Sequence, residues 1–494
     1  MQALDYLVMA VYAAAVLGIG FWANRRQKNT EDYFLGGRQL PWWAVGISLV
    51  ATSFSSASLI GGTGYGYAAG IDWIQLQIGD LVALLIVMAV FLPFFAAQPI
   101  TTAYEYLGRR FGDRARTVGS VLFLAQTAVR ASILVYGPAL ALQAVLGWSV
   151  ETSILVSAAA AIVYSACGGI AAVVWTDCIQ FGVIVVAVIA TLGVVAGDVP
   201  GGFGAVLDYA SSEGRLNPVT LEFQPKKLFH LTGALVPYLV LALSLFGTGQ
   251  QSVQRFLACR DLSSARKAAL TGWFAGTIAL GTCLLLGVAI HAWTKLAPGA
   301  ATFHIDKGDK VLPAFLAQRM PAGLAGLMLA AIFAASMSSL DSAIHSMSTS
   351  FMVDIAKRSG LRLARLCTVV IGVIATLGAL AAAEAETTML QTMVTWLGMF
   401  AGPLLGLFLI GMTTKRASEV DALIGVAAGA ILVVALFWNH EQLPVHKLWI
   451  GPFSLVLTYV TGAGLAPLLP LRRNKRGHDE PDDQSDRERP VDAG

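Results

Sequence analysis

Apolar residues run along this chain in long unbroken stretches, without the alternation of a half-buried strand. Thirteen stretches stand out, at roughly 4–22, 41–66, 73–97, 117–146, 150–168, 171–197, 230–252, 267–294, 322–353, 363–385, 388–413, 418–438 and 448–470. Most reach the roughly 20 residues a helix needs to cross a hydrocarbon core. A membrane barrel would alternate apolar and polar positions, and the helix is the other structure that satisfies its backbone in lipid. The pattern predicts an all-α polytopic membrane protein with about 13 transmembrane helices. Segment 4–22 has no basic n-region and no usual cleavage site, so it reads as a retained helix.

Composition agrees: 13% of the 494 residues are charged, about half the share in a soluble domain. The net charge of +3 points to no partner, and no nucleic-acid contact is expected. The placement of charge says more. Intervals of one parity hold 24 of the 33 lysines and arginines, the other parity holds 8, and Arg130 stands alone inside a stretch. The rich side includes Arg25, Arg109, Arg110, Arg255, Lys357 and the tail beyond 470. Positive charge marks the cytoplasmic face, which places the N-terminus outside and the C-terminus inside a plasma membrane. On this topology Arg109, Arg110 and Arg255 read as topology determinants. The five cysteines fall in helices or cytoplasmic intervals, where disulfides are not expected. No Cys/His spacing suggests a metal.

Polar residues inside the stretches carry the chemistry. Between Ala330 and Thr349 lie six serines, Asp341 and His345. Ser338, Ser342, His345 and Thr349 share one helical face, flanked by Ser339, Asp341 and Ser346. A carboxylate at bilayer depth costs about 2.5–3.5 kcal/mol and needs a partner. Oxygen-rich surroundings suit a hard cation. Two other stretches are interrupted by small and hydroxyl residues, at Ser53-Phe54-Ser55-Ser56-Ala57-Ser58 and at Phe246-Gly247-Thr248-Gly249-Gln250-Gln251. They occupy corresponding places in two five-helix blocks that begin on opposite faces. An odd helix count per block inverts the second, giving a 5+5 inverted-repeat core with two broken helices, the arrangement that places transporter sites near mid-membrane. Arg130 lies mid-helix and must find an anion or several carbonyls. A bidentate grip on a solute carboxylate is one reading, and an internal pair with Asp80 is the other.

Several segments resemble one family. They are Glu31-Asp32-Tyr33-Phe34-Leu35-Gly36-Gly37-Arg38, Ala51-Thr52-Ser53-Phe54-Ser55-Ser56, the run Gly168-Gly169 through Trp175-Thr176-Asp177-Cys178-Ile179-Gln180, Val253-Gln254-Arg255, Met337-Ser338-Ser339-Leu340-Asp341-Ser342, and Gly402-Pro403-Leu404-Leu405-Gly406-Leu407-Phe408. Together they resemble the sodium:solute symporter family, over about 1–470. The resemblance implies the leucine-transporter-type fold and sodium-driven symport. It implies a sodium site from the carbonyls of Ala51, Phe54 and Ala335 with the hydroxyls of Ser338 and Ser339. In some members a second sodium lies near an aspartate, here Asp177, with Ser338, Asp341 and Ser342. Asp341 departs from the hydroxyl or small residue that relatives often carry there. Sialic-acid-transporting relatives hold their substrate with an arginine placed like Arg130. The asparagine and lysine of sugar-transporting members are not apparent.

The expected organisation is an extra helix and loop (1–40), a first repeat (41–197), an extracellular loop (198–229), a second repeat (230–413), two C-terminal helices (414–470) and a disordered tail (471–494). Sodium is the expected co-transported ion, with one or two ions left open. Solute-lining candidates are Arg130 and Asp80 with Ser53, Ser55, Ser56 and Ser58, and also Trp73, Gln77, Thr248, Gln250 and Gln391. The expected function is sodium-coupled symport of a small organic solute bearing a carboxylate, such as sialic acid or a monocarboxylate. Sugar, amino-acid or vitamin symport, proton coupling and a non-transporting sensor are the alternatives. No nucleophile–base or metal constellation suggests an enzyme. A monomer suffices for this mechanism, and an oligomer is not excluded.

Overall fold

The computed structural model describes residues 1–24, 30–165, 169–222, 225–227, 230–298, 300, 303, 305, 307–358, 360–382 and 389–465. The predicted tail at 471–494 lies outside them. The long helices, in chain order, are α1 (Ala3–Asn24), α2 (Trp42–Ser53), α3 (Ser56–Ala68), α4 (Asp72–Ala96), α5 (Asp113–Leu146), α6 (Val150–Ser165) and α7 (Ile170–Asp198). After a surface helix at Gly202–Ser212 follow α8 (Leu231–Leu243), α9 (Gln250–Leu257), α10 (Leu262–Leu296), α11 (Leu324–Ser350), α12 (Leu361–Ala382), α13 (Met389–Thr413), α14 (Glu419–Trp438) and α15 (Ile450–Leu465). Among the described residues, eight helices are long and apolar enough to cross a bilayer, the bent pair α2–α3 makes a ninth, and four more are apolar but shorter. No strand forms among them.

Burial ranks the helices by position. In α11 83% of the spanning window is buried, against 28% in α14. The hydroxyl-rich helix therefore stands at the centre, packed by α5, α7, α1 and α2, while α14 and α15 pair at the periphery. The N-terminal helix is tied to it by a charge: Asp5 is 1% exposed and accepts the backbone N–H groups of Gly323 (2.7 Å) and Gly326 (2.9 Å). This satisfies otherwise orphaned donors at the start of α11. Small residues bring α3 against α10. A Cβ on Gly66 would strike the Leu284 carbonyl, and one on Gly287 the Thr63 carbonyl. In lipid such close packing replaces the hydrophobic drive.

Both predicted breaks are present. Past Ser53 the backbone of Phe54 (φ −87°, ψ 99°) and Ser55 is extended, and α3 departs at 64° from α2. Serine side chains compete with helical backbone bonds and favour caps, and here Ser58 Oγ accepts the Ser55 N–H at 3.4 Å. The second break follows a π turn at Ser244–Thr248, where Gly249 is extended. A Cβ on Gly249 would lie 2.6 Å from the Leu245 carbonyl. Stretch 230–252 is therefore two helices. The interval after it is not a loop, because Arg255 lies in α9 and is 1% exposed.

Candidate ion and solute site

Where α2 ends, its terminal carbonyls lack the next helical turn and meet the hydroxyl face of α11. Ser338 Oγ lies 2.9 Å from the Ala51 carbonyl oxygen and 3.3 Å from that of Ala335. Ser339 Oγ lies 3.3 Å from the Ala51 carbonyl and 2.9 Å from that of Thr52. Ala51, Ala335, Ser338 and Ser339 are all 0% exposed, and Phe54 occupies the break itself. The structure thus brings together four of the five residues expected for the sodium site, Ala51, Ala335, Ser338 and Ser339, with Phe54 at the adjoining break. The groups that meet there are oxygens only, the carbonyls of Ala51, Thr52 and Ala335 and the hydroxyls of Ser338 and Ser339, a set suited to a hard, weakly polarising cation. Thr52, absent from the expected set, is the hinge of the arrangement. Its hydroxyl lies 3.0 Å from Ser342 Oγ. Its carbonyl accepts from Ser339 and also from Arg130 Nη2 at 2.6 Å.

Arg130 is 6% exposed. Its Nη1 donates to Gln251 Oε1 at 3.2 Å, and Nε has no partner among the described residues. Asp80 is not its partner. The Asp80 carboxylate accepts from the Tyr238 hydroxyl at 3.4 Å and from Gln77. The guanidinium is held by neutral acceptors, and no carboxylate pairs with it among the described residues. A cavity of about 120 Å³ opens on it, with Thr52, Ser53, Ser58, Trp73 and Asp80 also in its walls. A second cavity of similar volume shares Ser53, Ser58, Trp73 and Asp80 and adds Gln77.

Other expected lining residues are engaged elsewhere. Ser56 Oγ donates to Ser336 Oγ at 3.4 Å, and Ser55 is fully buried at the bend. Thr248 Oγ1 donates to the Ser244 carbonyl at 2.8 Å. Gln250 clamps the chain near Thr101, accepting the Ala103 N–H (2.9 Å) and donating to the Thr101 carbonyl (3.0 Å). None of these four lines the two cavities. Gln391 belongs to α13, and its side chain lies outside the described ones.

Arg255 corrects the sequence reading twice: it is not a surface topology determinant, and Arg130 is not the only cation held deep in the bundle. It fills the space between Asp177 and α11. Its Nη2 lies 3.3 Å from Asp177 Oδ2 and 2.5 Å from Ser342 Oγ, and its Nε donates to Ser48 Oγ at 2.8 Å. Ser48 in turn donates to Asp177 Oδ2 at 2.5 Å. Asp177 Oδ1 and Asp341 Oδ2 are buried without a partner among the described residues. His345 packs against the rings of Tyr33 and Phe34, at 5.0 and 6.1 Å. The signal missed in the sequence was the polar face Gln250, Gln251, Gln254 and Arg255 within one short helix. Tyr238, in an apolar run, gave none.

The sodium:solute symporter family model matches residues 33–429. The sodium/sialic acid symporter NanT of Aliivibrio fischeri is 31% identical, covering 98% of this chain and 96% of that protein. The sodium/glucose cotransporter of Vibrio parahaemolyticus is 33% identical over 92% of this chain and 89% of its own length. A Na+-coupled sialic acid symporter solved substrate-bound in an outward-open state superposes with a TM-score of 0.83 at 28% identity, covering 95% of this chain and 98% of that one.

Proposed function

The chain belongs to the sodium:solute symporter family, and on that premise we propose that this sodium-coupled symporter carries a small carboxylate-bearing solute gripped by Arg130. One observation carries the reading: a buried guanidinium opens on the central cavity, and its described hydrogen-bond partners are all neutral. An anion supplies what it lacks, and the planar fork suits a carboxylate. The relatives transport both an acidic sugar and a neutral one, so kinship alone does not choose between them.

In the proposed cycle sodium enters among the Ala51, Phe54 and Ala335 carbonyls and the Ser338 and Ser339 hydroxyls. The Ser339 proton turns away from the Thr52 carbonyl as the hydroxyl oxygen faces the ion. That carbonyl then accepts from Arg130 alone, which fixes the guanidinium for the solute. A second sodium at Asp177 and Asp341 is part of the proposal: two carboxylates against the single Arg255 leave one negative charge at bilayer depth. The two broken helices support alternating access by two inverted blocks of five helices, with 13 helices in all. The excess of positive charge on one side supports a cytoplasmic C-terminus.

The test is thermal stability of the purified protein with organic acids, amino acids, sugars and vitamins, in sodium and again in choline. A ligand at 100 times its Kd adds about 2.7 kcal/mol to the folded state. A sodium-dependent shift confined to carboxylates and abolished in Arg130→Ala is expected. Shifts with neutral sugars that survive Arg130→Ala would sink the reading.

A further inference from the structure

Resting on that reading, we infer that the solute is a zwitterion, with its carboxylate on Arg130 and an ammonium or quaternary ammonium head on Asp80. Asp80 lines both central cavities, together with Trp73, Tyr238 and Phe246. In the compartment away from Arg130 it is the single charged residue among the described ones, set among aromatic and aliphatic walls that include Trp273 and Phe256. Its described partners, the Tyr238 hydroxyl and the Gln77 side chain, are both uncharged. The cavity wall therefore presents one guanidinium and one carboxyl that do not pair with each other.

A simple carboxylic acid would satisfy Arg130 and leave Asp80 with a second negative group close by. A neutral polyol would leave the Arg130 charge unmatched and Asp80 either charged at a cost or holding a proton. An amino carboxylate matches both. The surroundings of Asp80 select the same head group, because the faces of tryptophan, tyrosine and phenylalanine attract ammonium and quaternary ammonium cations. Size agrees. Each compartment holds about 120 Å³, below the roughly 300 Å³ at which sites for drug-sized ligands begin.

The experiment compares amino acids with their des-amino counterparts by thermal shift on the full-length protein, in sodium and in choline. The panel is α-, β- and γ-amino acids, proline and glycine betaine against the matching monocarboxylates, on the wild type, Asp80→Asn and Asp80→Glu. At least one zwitterion should bind the wild type about tenfold or more tightly than its partner acid, as expected for a buried charge contact. Asp80→Asn should collapse that ratio to about threefold or less, and Asp80→Glu should keep part of it, separating charge from folding. A wild type that binds every partner acid as well as its zwitterion overturns the inference, as does a ratio unchanged in Asp80→Asn. If the acids bind in a sodium-dependent manner without a zwitterion advantage, only this inference falls. If no carboxylate of either kind shifts the protein in sodium, the Arg130 reading falls with it.

Discussion

At the scale of single residues, charge and oxygen count decide the outcome. Ser339 offers its hydroxyl to the carbonyls of Ala51 and Thr52. Ser339→Ala should raise the sodium concentration for half-maximal stabilisation about tenfold, the equivalent of about 1.4 kcal/mol, read by titrating sodium against melting temperature. Arg255 and Asp177 form a buried ion pair, 1% and 0% exposed. Breaking such a pair from one side strands a charge and costs about 3–5 kcal/mol. Arg255→Gln should therefore unfold well below the wild type, and adding Asp177→Asn should restore much of the loss. A double variant no more stable than the single one would mean that the pair is not the source of the cost.

At the scale of elements, the breaks set what can move. Gly249 is needed for space rather than for a left-handed backbone: its φ is −71°, yet an added Cβ would crowd the Leu245 carbonyl. Gly249→Ala should cost about 1–3 kcal/mol, as overpacking commonly does, measured by chemical unfolding in detergent. Gly66→Ala, on the α3–α10 contact, should fall in the same range. The elements were legible because lipid forces continuous apolar runs, and the α2 break was legible because serines gathered in one. The polar face of α11 was legible from its spacing, and it does meet the α2 carbonyls. The role of Arg255 was not. Proximity to basic neighbours gave it the look of a loop residue, and only the packing of α9 against α2 and α11, which lets the guanidinium reach Asp177 on α7, shows its carboxylate partner. Asp80 beside Arg130 was also a matter of three-dimensional direction: both line one cavity, but each is held by a different neutral side chain.

At the scale of the whole molecule, the proposed ion and solute sites meet in one acceptor, the Thr52 carbonyl, shared by Ser339 and Arg130. Linkage then requires reciprocity: the factor by which sodium tightens the solute must equal that by which the solute tightens sodium. Paired titrations of the purified protein should return the same factor, on the order of 5–150. Equal affinities with and without sodium would separate the two sites. The shared acceptor has a further consequence for how such a protein diversifies. It belongs to the peptide backbone, which every residue type supplies alike, so no single base change can delete it. The Ser339 hydroxyl and the Arg130 guanidinium that meet there can each be removed by one substitution, while the acceptor between them stays in place. Removing that acceptor in the laboratory calls for a change to the main chain itself, such as an ester in place of the amide that follows Thr52.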